Sequence, residues 1–112
     1  MMLETIQQPT REILYRLRDR IASLYQERLH QIILFGSQAR GESRSDSDID
    51  ILIVLKDEVD SWTEIKRTGQ IIAQLCLDHN ILINSLFMSR DQYLNHDTTL
   101  LRNINQDGIV IC

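Results

Sequence analysis

Phe35-Gly36-Ser37-Gln38-Ala39-Arg40-Gly41-Glu42-Ser43-Arg44-Ser45-Asp46-Ser47-Asp48-Ile49-Asp50 is the stretch on which the reading of this chain turns. It joins two apolar runs, Ile32-Ile33-Leu34-Phe35 before it and Ile49 to Leu55 at its end. Short runs of this kind, bounded by turn residues, suit strands covered on both faces. Glycine at position 36, directly behind a strand, lets the backbone approach a ligand closely. A short helix opening at Ser37-Gln38-Ala39-Arg40 would aim its free N–H groups and its dipole at an anion. The Ser37 hydroxyl adds a donor. Arg40 either binds a phosphate or fixes the loop by pairing with a carboxylate.

Asp48 and Asp50 stand two residues apart at the head of the second strand, so their side chains project to one face. Two adjacent carboxylates repel each other and are costly on a merely structural strand. A divalent cation held between them and a triphosphate resolves that repulsion. An isolated Asp-x-Asp or Gly-Ser is a weak signal. Ten residues from Ser37 to Asp48 with a strand on each side make the two one site. Asp48 and Asp50 are the candidate catalytic and metal-binding residues, with magnesium as the metal. Gly36, Ser37 and Arg40 are the candidate nucleotide-binding residues.

Outward from that site the chain reads as alternating elements. Pro9 suits the first turn of a helix. Behind it Ile13, Leu14, Leu17, Ile21, Leu24 and Tyr25 recur at helical spacing. Ser61-Trp62-Thr63-Glu64 has the form of a capping box. It opens a helix with apolar positions Ile65, Ile72, Leu75 and Cys76. Ile81 to Met88 forms a third strand, and Asp97 is placed to cap a last helix carrying Leu100, Leu101 and Ile104. Gly108 ends that helix, and Ile109-Val110-Ile111 forms an edge strand. The order describes an α/β fold, a small mixed β-sheet flanked by helices, in one domain over residues 1–112.

With 112 residues, 43% of them hydrophobic and 25% charged, the chain has ordinary globular composition and room for one core. No signal peptide or membrane span is apparent, which makes it a cytoplasmic protein. Cys76 and Cys112 have no metal-ligand spacing, and neither do His30, His79 and His96. The net charge of -4 argues against a nucleic-acid binder, and no DNA binding is expected. Seven arginines precede Ser45 against five acids, while five basic residues face eleven acids from there on. That asymmetry is either a solvated helix face or a surface for a partner or phosphate.

Gly36-Ser37, ten residues, then Asp48-Ile49-Asp50 resembles the defining motif of the nucleotidyltransferase superfamily related to polymerase beta. Gly36-Ser37-Gln38-Ala39-Arg40-Gly41 with Ser47-Asp48-Ile49-Asp50 is similar to its minimal, single-domain branch. The resemblance implies the polymerase-beta-like fold, magnesium on Asp48 and Asp50, and a triphosphate on Gly36 and Ser37. Many members of the branch are antitoxins paired with a HEPN-domain ribonuclease. For this chain the resemblance implies a hetero-oligomer with such a toxin and transfer of AMP from ATP to a toxin tyrosine. One departure is visible. The superfamily often carries a third acid on the next strand, and Asn84 stands nearest to that position. An amide ligates weakly and takes no proton. A catalytically weak or inactive antitoxin, neutralising its toxin by direct binding, is therefore the alternative.

Overall fold

The computed structural model describes Ile6, residues 8–41 and residues 48–112. Residues 42–47, with Ser43, Ser45, Asp46 and Ser47, lie outside the described residues. The elements run α1 (Thr10–Tyr25), a 3-10 turn (Gln26–Arg28), β1 (Leu29–Phe35), α2 (Gly36–Arg40) and β2 (Ile49–Leu55). They continue with α3 (Ser61–His79), β3 (Ile83–Ser89), α4 (Arg90–Asn95), α5 (Thr99–Asp107) and β4 (Ile109–Val110). The strands form one mixed sheet in the order β3-β2-β1-β4. β1 runs antiparallel to both β2 and β4, while β2 and β3 are parallel, joined by the α3 crossover. This is the α/β arrangement that the order of elements predicts, with β4 at the expected edge.

The central strands are apolar throughout because both their faces are covered. On one face Ile32, Leu34, Ile49, Ile51, Ile53 and Leu55 pack with α1 residues Ile13, Leu14, Leu17, Ile21 and Tyr25 and with Leu75 of α3. On the other, Ile33, Leu52 and Val54 pack with Leu101 and Ile104 of α5. Removing one such side chain, for example Leu52→Ala, is worth about 2–5 kcal/mol of stability. The alternation along β2 puts Asp48 and Asp50 on the second face, beyond Leu52 where the α5 cover ends.

Four details differ from the periodicity reading, each for a physical reason. α3 starts from Asp60 as N-cap, and the Thr63 hydroxyl donates to the Asp60 carboxylate. Glu64 therefore does not reach back as the acid of a capping box. It turns inward, 3% exposed, and accepts a hydrogen bond from the Tyr25 hydroxyl at 2.7 Å. Arg67 Nε donates to it at 2.9 Å, and Arg28, itself paired with Asp57, lies 3.6 Å away. With Glu64 and Thr68 on the buried side, Ile65 is left exposed on α3.

Leu24 and Leu100 are likewise exposed, since the buried stripes of α1 and α5 pass through Tyr25 and Leu101 instead. α5 is capped by Thr98, whose side chain accepts from Leu101 N at 3.2 Å. Asp97 instead pairs with Arg102 at 2.7 Å. Finally, α4 is an element that the apolar pattern does not announce, because none of its residues is buried. It is set by a capping box of Ser89 and Gln92.

Candidate functional site

The geometry of the site starts at the end of β1. Phe35 pairs across the sheet with Asp50, and the chain turns at once into α2 through Gly36 with φ +75°. A side chain is disfavoured there on two counts. The positive φ is unfavourable to any L-residue. A Cβ would also overlap Asp50 Oδ2 and lie 3.3 Å from Asp50 Cγ. The glycine thus admits the Asp50 carboxylate to the foot of α2, a role additional to the backbone–ligand approach expected from sequence.

α2 packs against β1, β2 and α5 through buried Ala39 and Gln38. Thr10 of α1 donates a long hydrogen bond, 3.5 Å, to Gln38 Oε1 and so ties the two helices together. Nothing in the sequence singles out Gln38, a polar residue in a polar stretch. The N-cap of α2 is Phe35, which has no side-chain acceptor, so the first N–H groups of the helix are not capped by it. Ser37 is half-buried in that first turn, and Arg40 is exposed in the last. Gly41 closes the helix in the left-handed conformation, φ +73°.

Asp48 and Asp50 are brought to one place with Asn84. In the parallel pairing of β2 and β3, Asp50 is opposite Asn84. Asn84 Nδ2 donates to Asp50 Oδ1 at 3.0 Å and to Asp48 Oδ2 at 3.3 Å. One amide therefore bridges both carboxylates and offsets part of their mutual repulsion with charge-assisted hydrogen bonds. It stands where the third acid was sought from the sequence. The structure thus joins Gly36, Asp48, Asp50 and Asn84 directly. It places Ser37 and Arg40 on the helix that begins at that glycine.

The donor set fits a hard divalent cation. Two carboxylates on one face, held together by the Asn84 N–H groups, are oxygen ligands of the kind magnesium prefers. Uncapped N–H groups and a hydroxyl at the start of α2 suit a phosphate chain. No helix among the described residues is long and apolar enough to cross a membrane.

A small mixed sheet with a glycine-serine turn facing a paired-aspartate strand defines a nucleotidyltransferase class of protein. The sequence profile of the nucleotidyltransferase domain matches residues 14–95, and the chain belongs to that family. A candidate protein adenylyltransferase of Methanocaldococcus jannaschii is 32% identical over 79 residues, covering 70% of this chain and 79% of the relative. Two solved structures share the fold. One is a chain of a toxin–antitoxin complex with AMP-PNP (TM-score 0.57, 21% identity), covering 84% of this chain and 71% of that one. The other is a chain of the tri-AMPylated Shewanella oneidensis HEPN toxin in complex with its MNT antitoxin (TM-score 0.52, 18% identity). It covers 88% of this chain and 71% of that one.

Proposed function

We propose that this nucleotidyltransferase is an antitoxin that transfers AMP from ATP to a tyrosine of a HEPN-domain ribonuclease toxin and so silences it. The chain acts as one unit over residues 1–112, in the cytoplasm, as a hetero-oligomer with that toxin. The observation that carries the reading is the contact of Gly36 with Asp50, which sets a phosphate-binding turn against a carboxylate pair. The relative named as a candidate protein adenylyltransferase and the AMPylated toxin complex support the choice of a protein acceptor.

In this mechanism Asp48 and Asp50 would hold magnesium, which would supply charge neutralisation for the triphosphate and the leaving group. Gly36 and Ser37 orient the triphosphate through backbone N–H groups and the serine hydroxyl. Arg40, in the last turn of the same helix, would add positive charge for the outer phosphates. The acceptor hydroxyl oxygen attacks the α-phosphorus, the bond from that phosphorus to the β-phosphate oxygen breaks, and pyrophosphate leaves. Positioning and charge carry most of the barrier reduction in such transfers.

ATP labelled at the α-phosphorus, compared with ATP labelled at the γ-phosphorus, tests the reaction. Label should reach the partner from the α-position alone. Transfer from the γ-position would make the chain a kinase and refute the proposal. A stable complex with no label from either would favour direct binding, the reading that the amide at position 84 suggests.

A further inference from the structure

The amide that bridges the acidic pair also bears on the acceptor. Asn84 lies within 3.0 Å of Asp50 Oδ1 and 3.3 Å of Asp48 Oδ2. A carboxylate in its place would set a third negative charge beside two others, and it could also take a proton from an incoming hydroxyl. The amide does neither. Hydroxyls differ widely in their need for such help. A phenol ionises near pH 10 (about 10 in model peptides), and an aliphatic hydroxyl only far above that.

We propose that Asn84 is a specificity-determining residue that confines transfer at this site to phenolic hydroxyls and excludes the aliphatic hydroxyls of serine and threonine. The inference rests on the nucleotidyl-transfer reading above and adds its chemical selectivity. The phenol loses its proton to water. The phenolate oxygen then bonds to the α-phosphorus, and the departing pyrophosphate takes the electron pair of the broken bond. Asn84 accepts nothing in this sequence. Its N–H groups hold Asp48 and Asp50 in register, and its lack of basicity leaves a weaker acid unassisted.

The test uses the full chain, its tyrosine-bearing partner, ATP and magnesium chloride, with initial rates read by intact mass spectrometry. Replacing the acceptor tyrosine by serine should lower the wild-type rate at least about 100-fold, the low end of what a general base contributes. The rate with tyrosine should rise by nearly tenfold per pH unit between about pH 6.5 and 8.5, following the phenolate fraction.

Asn84→Asp should raise the serine-to-tyrosine rate ratio at least about tenfold by restoring a base. Asn84→Ala should lower both rates and leave the ratio unmoved. A merely structural Asn84 would move both acceptors together in every variant. Serine accepted as readily as tyrosine by the wild-type chain, or an unchanged ratio in Asn84→Asp, overturns the inference and leaves the transferase standing. No transfer to the tyrosine-bearing partner overturns the underlying reading, and the inference with it.

Discussion

Gly36 and Asp50 are in contact across the β1–β2 pair, and the space that a Cβ at position 36 would fill is occupied by the Asp50 carboxylate. The turn that starts α2 and the strand that carries the acids are therefore fitted to each other. Neither half of the site can be altered in isolation. The same Asp50 carboxylate that stands against the glycine also accepts from Asn84, which reaches on to Asp48.

Gly36→Ala should destabilise the fold by about 2–4 kcal/mol, from positive-φ strain of order 1 kcal/mol and displacement of Asp50 costing about 1–3 kcal/mol. Gly41→Ala is the control. It has a similar φ, but among the described residues a Cβ there meets nothing within 4 Å. Only the strain of order 1 kcal/mol should remain. Urea denaturation of the two variants measures the difference. Equal losses would show that Asp50 does not press on position 36.

Tyr25 and Glu64 form the buried link between α1 and α3. Burial and the adjacent Glu64 carboxylate push the Tyr25 phenol far above its ordinary value. The neutral phenol is thus favoured in the folded chain. Its contribution is fully present below the unfolded value of about 10 and is lost as pH rises above it, by up to about 1.4 kcal/mol per pH unit. Tyr25→Phe should cost about 1–3 kcal/mol at neutral pH and remove that part of the alkaline loss. Denaturation midpoints of both proteins from pH 7 to above about pH 10 check this. Parallel curves would mean the hydroxyl is not held.

Thr98→Ala should cost about 1 kcal/mol, because the hydroxyl caps α5. Asp97→Ala should cost clearly less than Thr98→Ala, because its pairing with Arg102 is exposed on both sides and screened by solvent. Thermal denaturation ranks the two. The reverse ranking would return the cap to Asp97.

These corrections show what the sequence makes legible. The two-sided burial of β1 and β2 is written in uninterrupted apolar runs, and the site in a glycine, a serine and two acids at fixed spacing. Both rest on local patterns: the structure forms the strands where the runs stand and brings Gly36 beside Asp50 and Asp48 beside Asp50. What periodicity alone does not carry is the choice between two adjacent residues at a helix boundary. Ser61 and Asp60 are both good caps, as are Asp97 and Thr98, and neighbouring side chains settle the choice, Thr63 bonding Asp60 and Arg102 engaging Asp97. Arg28, Arg67 and Tyr25 draw Glu64 inward, though a lone glutamate in sequence reads as surface. Asn84 could be placed near the acids by alignment of strands, but its double hydrogen bond requires the β2–β3 register.

The measurement that bears most directly on the central claim is the intact mass of the proposed HEPN partner after incubation with the wild-type chain, ATP and magnesium, beside Asp48→Asn and Asp50→Asn. The wild-type chain should add one or more AMP units to the partner. Each variant should lose at least about 100-fold in rate while keeping its circular dichroism spectrum, as the proposed magnesium site on Asp48 and Asp50 requires. AMP added equally by the variants would contradict the assignment of the site. A partner of unchanged mass in a stable complex with the wild-type chain would contradict the transferase itself.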